Sequence, residues 1–193
     1  VSTPMVSLGN IKLNSGLGII LTVSHNPPSY GGFKIKADFG GPLQPELVQE
    51  IEDAIPASCP IDTDRLSIEQ FVSQGLIEYV DLETMYVKQI EANFDLDAIK
   101  KSGLVFGFDA MYGSGQNVMK RVLPDVISLH CEHNPSFYGQ APEPIAKNLV
   151  EFSELIKSNG NIAAGLAIDG DADRIGLFNS KGEFVDSHHI MLL

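Results

Sequence analysis

The sequence predicts an α/β protein, because short apolar runs that read as strands alternate with segments of helical periodicity along most of the chain. The two loops richest in chemistry, around Ser24 and around Asp171, each follow directly on such a run. Open α/β sheets present ligand-binding residues at the carboxyl ends of their strands. Composition agrees: 44% hydrophobic and 20% charged residues in a chain of 193 suffice for one large domain or two small ones and argue against disorder.

Residues 1–16, with Thr3-Pro4 and scattered Gly, Asn and Ser, read as loop. Residues 18–23 form an apolar, β-branched run expected as a buried strand. Residues 33–36 alternate apolar and basic side chains, as a half-exposed strand does, until Gly40-Gly41-Pro42 breaks the pattern. Pro45 opens a helix whose Leu47, Val48, Ile51 and Ile55 share one face. Ser67 with Gln70 makes a capping box for a short helix that Gly75 stops.

Helices are expected over residues 82–92 and 96–101, a buried strand over 104–108, a loop and helix over 113–123 and a strand over 126–129, an alternation that implies parallel βαβ packing. Pro144 opens a helix with Leu149, Phe152, Leu155 and Ile156 at helical spacing, closed by Ser158-Asn159-Gly160. Residues 163–168 form a strand that delivers an acidic loop, and residues 175–178 form another. The apolar stretch Ile190-Met191-Leu192-Leu193 is expected to continue into a further element, since an exposed apolar end leaves a sticky patch.

With 25 acidic against 13 basic residues the formal charge is -12, which repels nucleic-acid backbones and anionic membranes. No apolar run approaches the roughly 20 residues of a membrane-spanning helix, and no basic stretch leads into an apolar signal segment. Neither nucleic acid nor membrane is therefore expected as a partner, and the expected setting is the cytoplasm. Cys59 and Cys131 lack metal-ligand spacing and read as idle thiols.

Residues 21–28, Leu-Thr-Val-Ser-His-Asn-Pro-Pro, place the Ser24 hydroxyl directly after a strand, in a loop that two prolines stiffen. His25 and Asn26 can donate to phosphate oxygens, and Lys34 returns a cation on the adjoining strand. The same residues also suit an ordinary polar turn. No Gly-x-Ser-x-Gly elbow surrounds Ser24, which speaks against a serine hydrolase. Residues 167–174, Ala-Ile-Asp-Gly-Asp-Ala-Asp-Arg, set Asp169, Asp171 and Asp173 at alternate positions with small residues between them. Three hard oxygen ligands can converge on one divalent cation, which offsets their mutual repulsion. An EF-hand needs glycine and glutamate where Arg174 and Ser180 stand. A phosphatase-type strand followed by Asp-x-Asp and a solvated acidic turn remain open readings of this loop.

Together the two loops resemble those of the α-D-phosphohexomutases, the phosphoglucomutase and phosphomannomutase family, whose phosphoserine loop reads Thr-Ala-Ser-His-Asn-Pro and whose metal loop reads Asp-Gly-Asp-x-Asp-Arg. Residues 30–34, Tyr-Gly-Gly-Phe-Lys, are similar to the family's Tyr-Asn-Gly-x-Lys segment, and residues 109–115 with Pro142-Glu143-Pro144 resemble its second domain. Val23 stands where the family has alanine and Gly31 where it has asparagine.

The resemblance implies two three-layer α/β domains with mixed sheets, the first incomplete. Residues 1–76 would be the back part of domain 1, residues 77–181 domain 2 and residues 182–193 the start of domain 3. It implies Ser24 as the phosphoserine and a metal ligand, and Asp169, Asp171 and Asp173 as the other ligands of Mg2+. His25, Lys34 and Arg174 would be catalytic groups around the transferred phosphoryl. It also implies an isomerase of carbohydrate metabolism, an intramolecular phosphotransferase acting between the 1 and 6 positions of a hexose phosphate through a bisphosphate. The family's Gly-x-Ser-Gly-x-Arg-Gly, Gly-Glu-x-Ser-Gly and Arg-x-Ser-Gly-Thr loops are not in the sequence, so the chain is expected to be inactive alone and to need domains 3 and 4. A magnesium-dependent phosphatase and a non-catalytic fragment are the alternatives.

Overall fold

A computed structural model describes residues 1–192, and Leu193, the last residue of the apolar stretch and of the anticipated third-domain segment, lies outside the described residues. The amino-terminal stretch that reads as loop is helical instead: α1 spans Thr3–Lys12. Ser2 caps it by accepting from the Met5 N–H at 3.3 Å, and Pro4 suits its first turn. The helix buries Thr3, Met5, Gly9 and Asn10, mostly small or polar residues, so it carries no apolar stripe for periodicity to detect.

Strands β1 (Leu17–Thr22) and β2 (Gly32–Ala37) pair antiparallel, with Ile20 opposite Lys34 and Thr22 opposite Gly32. The pairing puts Thr22 and Lys34 on one face of the ribbon. Here β1 departs from the fully buried strand that its apolar run predicts. Ile20 is buried, whereas Ile19 and Leu21, on the other face, are 61% and 84% exposed.

Helix α2 (Pro45–Ala54) forms at its proline as expected, yet buries none of its residues. Helix α3 (Ile68–Ser73) is capped by Ser67, which accepts from the Gln70 N–H. Helices α4 (Leu82–Asn93) and α5 (Leu96–Lys101) start at Asp81 and Asp95, whose carboxylates accept from the Thr84 and Ala98 N–H groups.

Strand β3 (Val105–Asp109), helix α6 (Gln116–Val122), strand β4 (Ile127–Leu129), helix α7 (Val150–Asn159) and strand β5 (Ile162–Ile168) follow. Then come β6 (Ile175–Asn179), β7 (Phe184–Val185) and the short α8 (Ser187–Ile190). Helix α7 begins at Val150 rather than at Pro144, because Ile145 is extended and a single 3-10 turn spans residues 146–148. The five strands are ordered β4-β3-β5-β6-β7. Strand β3 is parallel to β4 and β5, while β5-β6 and β6-β7 are antiparallel. The sheet is therefore mixed, and the parallel packing implied by the alternation holds only for β3, β4 and β5. The acidic loop at residues 169–174 is too short for a crossover, so β6 must return beside β5.

Strand β4 lies on one side of β3 and β5 on the other, so right-handed connections of opposite sense place α6 and α7 on opposite sheet faces. Phe152 and Ile156 of α7 are fully buried with Leu149, Ile162 and Phe178. They fit because Gly165 has no side chain: a Cβ there would sit 2.6 Å from Ile156 and 2.9 Å from Phe152. Each such side chain contributes about 1.5–3 kcal/mol. The second core joins Met5 of α1 to Val87 of α4 and to Val118 and Val122 of α6.

Asp109 ends β3, fully buried, and both of its oxygens lie 3.0 Å from His130 Nδ1. His130 Nε2 lies 3.3 Å from Glu151 of α7. The hydrogen bond to Asp109 raises the His130 pKa against the effect of burial, with the charges of Asp109 and Glu151 adding to the rise. Because the folded value lies above 6.5, the stabilisation is fully present below 6.5 and is lost as pH rises through the folded value. We predict that His130→Gln removes this pH-dependent part of the stability. Urea unfolding of parent and variant on both sides of the transition checks it; parallel pH profiles would sink the assignment.

Candidate active site

Ser24 lies two residues beyond β1, and its backbone is held in the left-handed region at φ 53°. Few non-glycine residues adopt that conformation. Its N–H donates to Thr22 Oγ1 at 2.8 Å, and Asn26 N–H closes the turn onto the Val23 carbonyl. The acidic loop approaches from the end of β5. Gly170 makes the approach possible, since a Cβ there would overlap the Ser24 carbonyl.

Ser24 Oγ donates to Asp169 Oδ2 at 3.2 Å, lies 3.4 Å from Lys34 Nζ and 3.5 Å from His25 Nδ1. Asp169 is fully buried. Its other oxygen accepts the backbone N–H groups of Asp173 and Arg174 at 2.9 and 3.0 Å. Burial pushes its pKa up to about 6, with the charges of Asp171 and Asp173 in the same direction and the two backbone donors opposing. For Asp171, burial likewise works against the charge. Hydrogen bonds from Lys34, Thr3 and Thr22 overcome it and hold the carboxyl below its usual range.

Lys34 Nζ bridges Asp171 and Asp173 at 2.7 and 2.5 Å. Burial works against its charge too, but these two carboxylates raise its pKa. Asp169, Asp171 and Asp173 each offer an oxygen within 4.8 Å of the others. Among the described residues Asp171 Oδ1, which is buried, has no hydrogen-bond partner. A set of hard carboxylate oxygens with one unpartnered buried acceptor suits a divalent cation.

The residues singled out in the sequence, Ser24, His25, Lys34, Asp169, Asp171, Asp173 and Arg174, thus come together. An open cleft of about 470 Å³ is lined by Ser24, His25, Lys34, Asp173 and Arg174 among others. Arg174 reaches Asp169 through its backbone, and its side chain is exposed at the cleft. Sequence reasoning missed Thr3 and Thr22, whose hydroxyls donate to Asp171 Oδ2 at 2.8 and 3.0 Å. The available signals were a threonine closing an otherwise apolar strand and a Ser-Thr-Pro helix start.

Residues 84–182 match the family described as phosphoglucomutase/phosphomannomutase, alpha/beta/alpha domain II, and residues 1–59 match its domain I. The chain is 28% identical over 193 residues to a probable phosphoglucosamine mutase of Methanothermobacter thermautotrophicus, covering 100% of this chain and 41% of the relative. It is 30% identical over 190 residues to a phosphoglucomutase of Neisseria meningitidis serogroup B, covering 96% of this chain and 38% of that one. The chain therefore spans well under half the length of these relatives. Among solved structures, a putative phosphomannomutase of Thermus thermophilus superposes with a TM-score of 0.84 at 33% identity, over 97% of this chain and 42% of that one. The fold also matches parafusin from Paramecium, with a TM-score of 0.76 at 23% identity over 96% and 40% of the two chains.

Clustering three carboxylates costs stability that a neutral isostere recovers. We predict that Asp169→Asn, which keeps the acceptor for the two backbone N–H groups, stabilises the chain in EDTA at pH 8 by about 1–3 kcal/mol. Thermal or urea unfolding checks it; an equal or lower stability would count against the repulsion described here.

Proposed function

The chain belongs to the phosphoglucomutase/phosphomannomutase family of α-D-phosphohexomutases, and from that premise we propose that it is the phosphoryl-carrying part of a hexose phosphomutase. The observation that carries the reading is the Ser24 hydroxyl, held 3.2 Å from Asp169 of the acidic loop with Lys34 Nζ 3.4 Å away. In the proposed reaction a phosphoryl group on Ser24 Oγ passes to a free hydroxyl of a hexose phosphate, giving a bisphosphate. After reorientation the bisphosphate returns its other phosphoryl group to Ser24, so the 1- and 6-phosphates interconvert.

Phosphoryl transfer asks little covalent chemistry of the protein and much positioning. The turn at Ser24 aims its oxygen into the cleft. Lys34 and His25 border the volume a phosphoryl group on that oxygen occupies, where an ammonium and a ring N–H can meet its oxygens. Arg174, exposed on the same cleft, offers a second cation to phosphate. Asp169, Asp171 and Asp173, with Ser24, are the groups that would hold Mg2+. Bound there, the ion supplies stabilisation of the charge that develops on the phosphate oxygens.

We place the boundary between the two domains near residue 76 and that of a third near residue 182. The first domain is then incomplete, and the binding of the sugar and its distal phosphate falls to domains 3 and 4. The proposed substrate is a hexose phosphate, and the proposed setting is the cytoplasm. Among the described residues no helix is long and apolar enough to cross a membrane.

Intact-mass analysis with peptide mapping tests the reading. We expect one phosphoryl group on Ser24, absent in Ser24→Ala, and no interconversion of glucose 1-phosphate and glucose 6-phosphate by these residues alone. Hydrolysis of a simple phosphate ester without phosphate on Ser24 would replace the mutase reading with a phosphatase. Sugar-phosphate turnover would refute the assigned need for further domains.

A further inference from the structure

We propose that Thr3 is a positioning residue for the acidic loop, its hydroxyl fixing the Asp171 carboxylate so that Oδ1 is the oxygen left to face a divalent cation. The inference rests on the phosphoryl-transfer reading and adds a residue to it from the far end of the chain. Asp171 Oδ2 accepts from Thr3 Oγ1 at 2.8 Å, Thr22 Oγ1 at 3.0 Å and Lys34 Nζ at 2.7 Å. Oδ1, on the same carboxylate, is buried and has no partner among the described residues. An ionised carboxylate only accepts, so concentrating the donors on one oxygen leaves the other free for a ligand.

The three donors are not equivalent. Lys34 carries a positive charge that opposes a nearby cation, whereas the two hydroxyls orient the carboxylate without adding charge. Thr22 also accepts the Ser24 N–H and so serves the serine turn. Thr3 alone of the three grips Asp171 twice, because its backbone N–H also donates to the Asp171 carbonyl at 2.8 Å. The two contacts fix both the main chain and the carboxylate rotation at that point.

Thr3 has a rigid base from which to do this. It is 3% exposed and opens α1, whose first-turn N–H groups lack helical partners and whose dipole favours a carboxylate at that end. Met5, one half-turn on, is locked into the core with Val87, Val118 and Val122.

The test compares the parent with Thr3→Val, Thr3→Ala and Thr3→Ser, by Mg2+ calorimetry and by thermal unfolding in EDTA. Removing an outer partner of a metal ligand typically weakens binding by about 10- to 100-fold. We expect that loss in the Val and Ala variants and recovery of most of the affinity in Ser, which restores the hydroxyl. Should the Val variant fail to fold, the Ala variant gives the same reading, with the backbone contact retained. Lower melting temperatures with parental Mg2+ affinity in both variants would make Thr3 a packing residue and overturn the inference alone. A folded parent that binds no Mg2+ would overturn the metal centre of the functional reading and the inference with it.

Discussion

The Asp171 carboxylate collects Thr3 from α1, Thr22 from β1 and Lys34 from β2, which lie 168, 149 and 137 residues before it in sequence. The rest of the site depends on that convergence. It draws the serine hairpin and the acidic loop to one point, after which the contact of Gly170 with the Ser24 carbonyl and the bond from Ser24 to Asp169 follow. Charge-assisted hydrogen bonds contribute about 1.5–3 kcal/mol each, roughly twice a neutral bond. A buried carboxylate with three donors on one oxygen is therefore stabilised in its ionised form despite its burial. Asp169 makes its bonds to backbone N–H groups and a serine, and burial, with the charges of Asp171 and Asp173, drives it the other way.

Two aspartates of one loop are thus held in opposite ways by their surroundings. The acidic loop gathers three acids in a chain of charge -12, and Ser24 and Ala172 stand at φ 53° and 56°. Left-handed backbone at non-glycine residues and unpartnered buried acceptors are unfavourable. Ser24, Ala172 and the unpartnered Asp171 Oδ1 bring such costs into the loop pair, although left-handed backbone also occurs at Met111, Tyr112, His130, Phe137 and Tyr138.

Ser24 and the acidic-loop residues were legible because they sit in unbroken sequence motifs directly after strands, and the acidic loop follows a strand end of the α/β sheet, a fixed address for ligands. Their partners were not. Thr3 and Thr22 matter only through contacts to a residue far along the chain, and local pattern holds no information on such contacts. Helix α1 escaped notice for a related reason: it buries Asn10, whose side chain donates to the Ala37 carbonyl, and small residues against α4, where an apolar stripe would be the visible signal. The β1 run predicted burial on both faces from apolarity alone, yet Ile19 and Leu21 are exposed. Apolarity reports what a strand tolerates, and only neighbouring elements decide which face is covered.

Two sets of forces could keep Ser24 and Asp169 within hydrogen-bonding distance: the polar contacts of the site or the apolar packing behind it. The bond between them is 3.2 Å long and in net terms is worth on the order of 1 kcal/mol, too little to hold two elements in register. Behind it, Met5 of α1 packs with Val87, Val118 and Val122 of α4 and α6, at about 1.5–3 kcal/mol for each large side chain buried. The α1-to-α6 core thus outweighs that single bond and acts together with the three donors on Asp171. It sets where the start of α1 lies, Thr3 transmits that position to Asp171, and the acidic loop inherits it. A phosphoryl group moving between a serine and a sugar needs its surroundings placed before the reaction begins. Here the placement starts from an apolar seam joining α1 to α4 and α6, and the donors gathered on Asp171 carry it from Thr3 to the acidic loop.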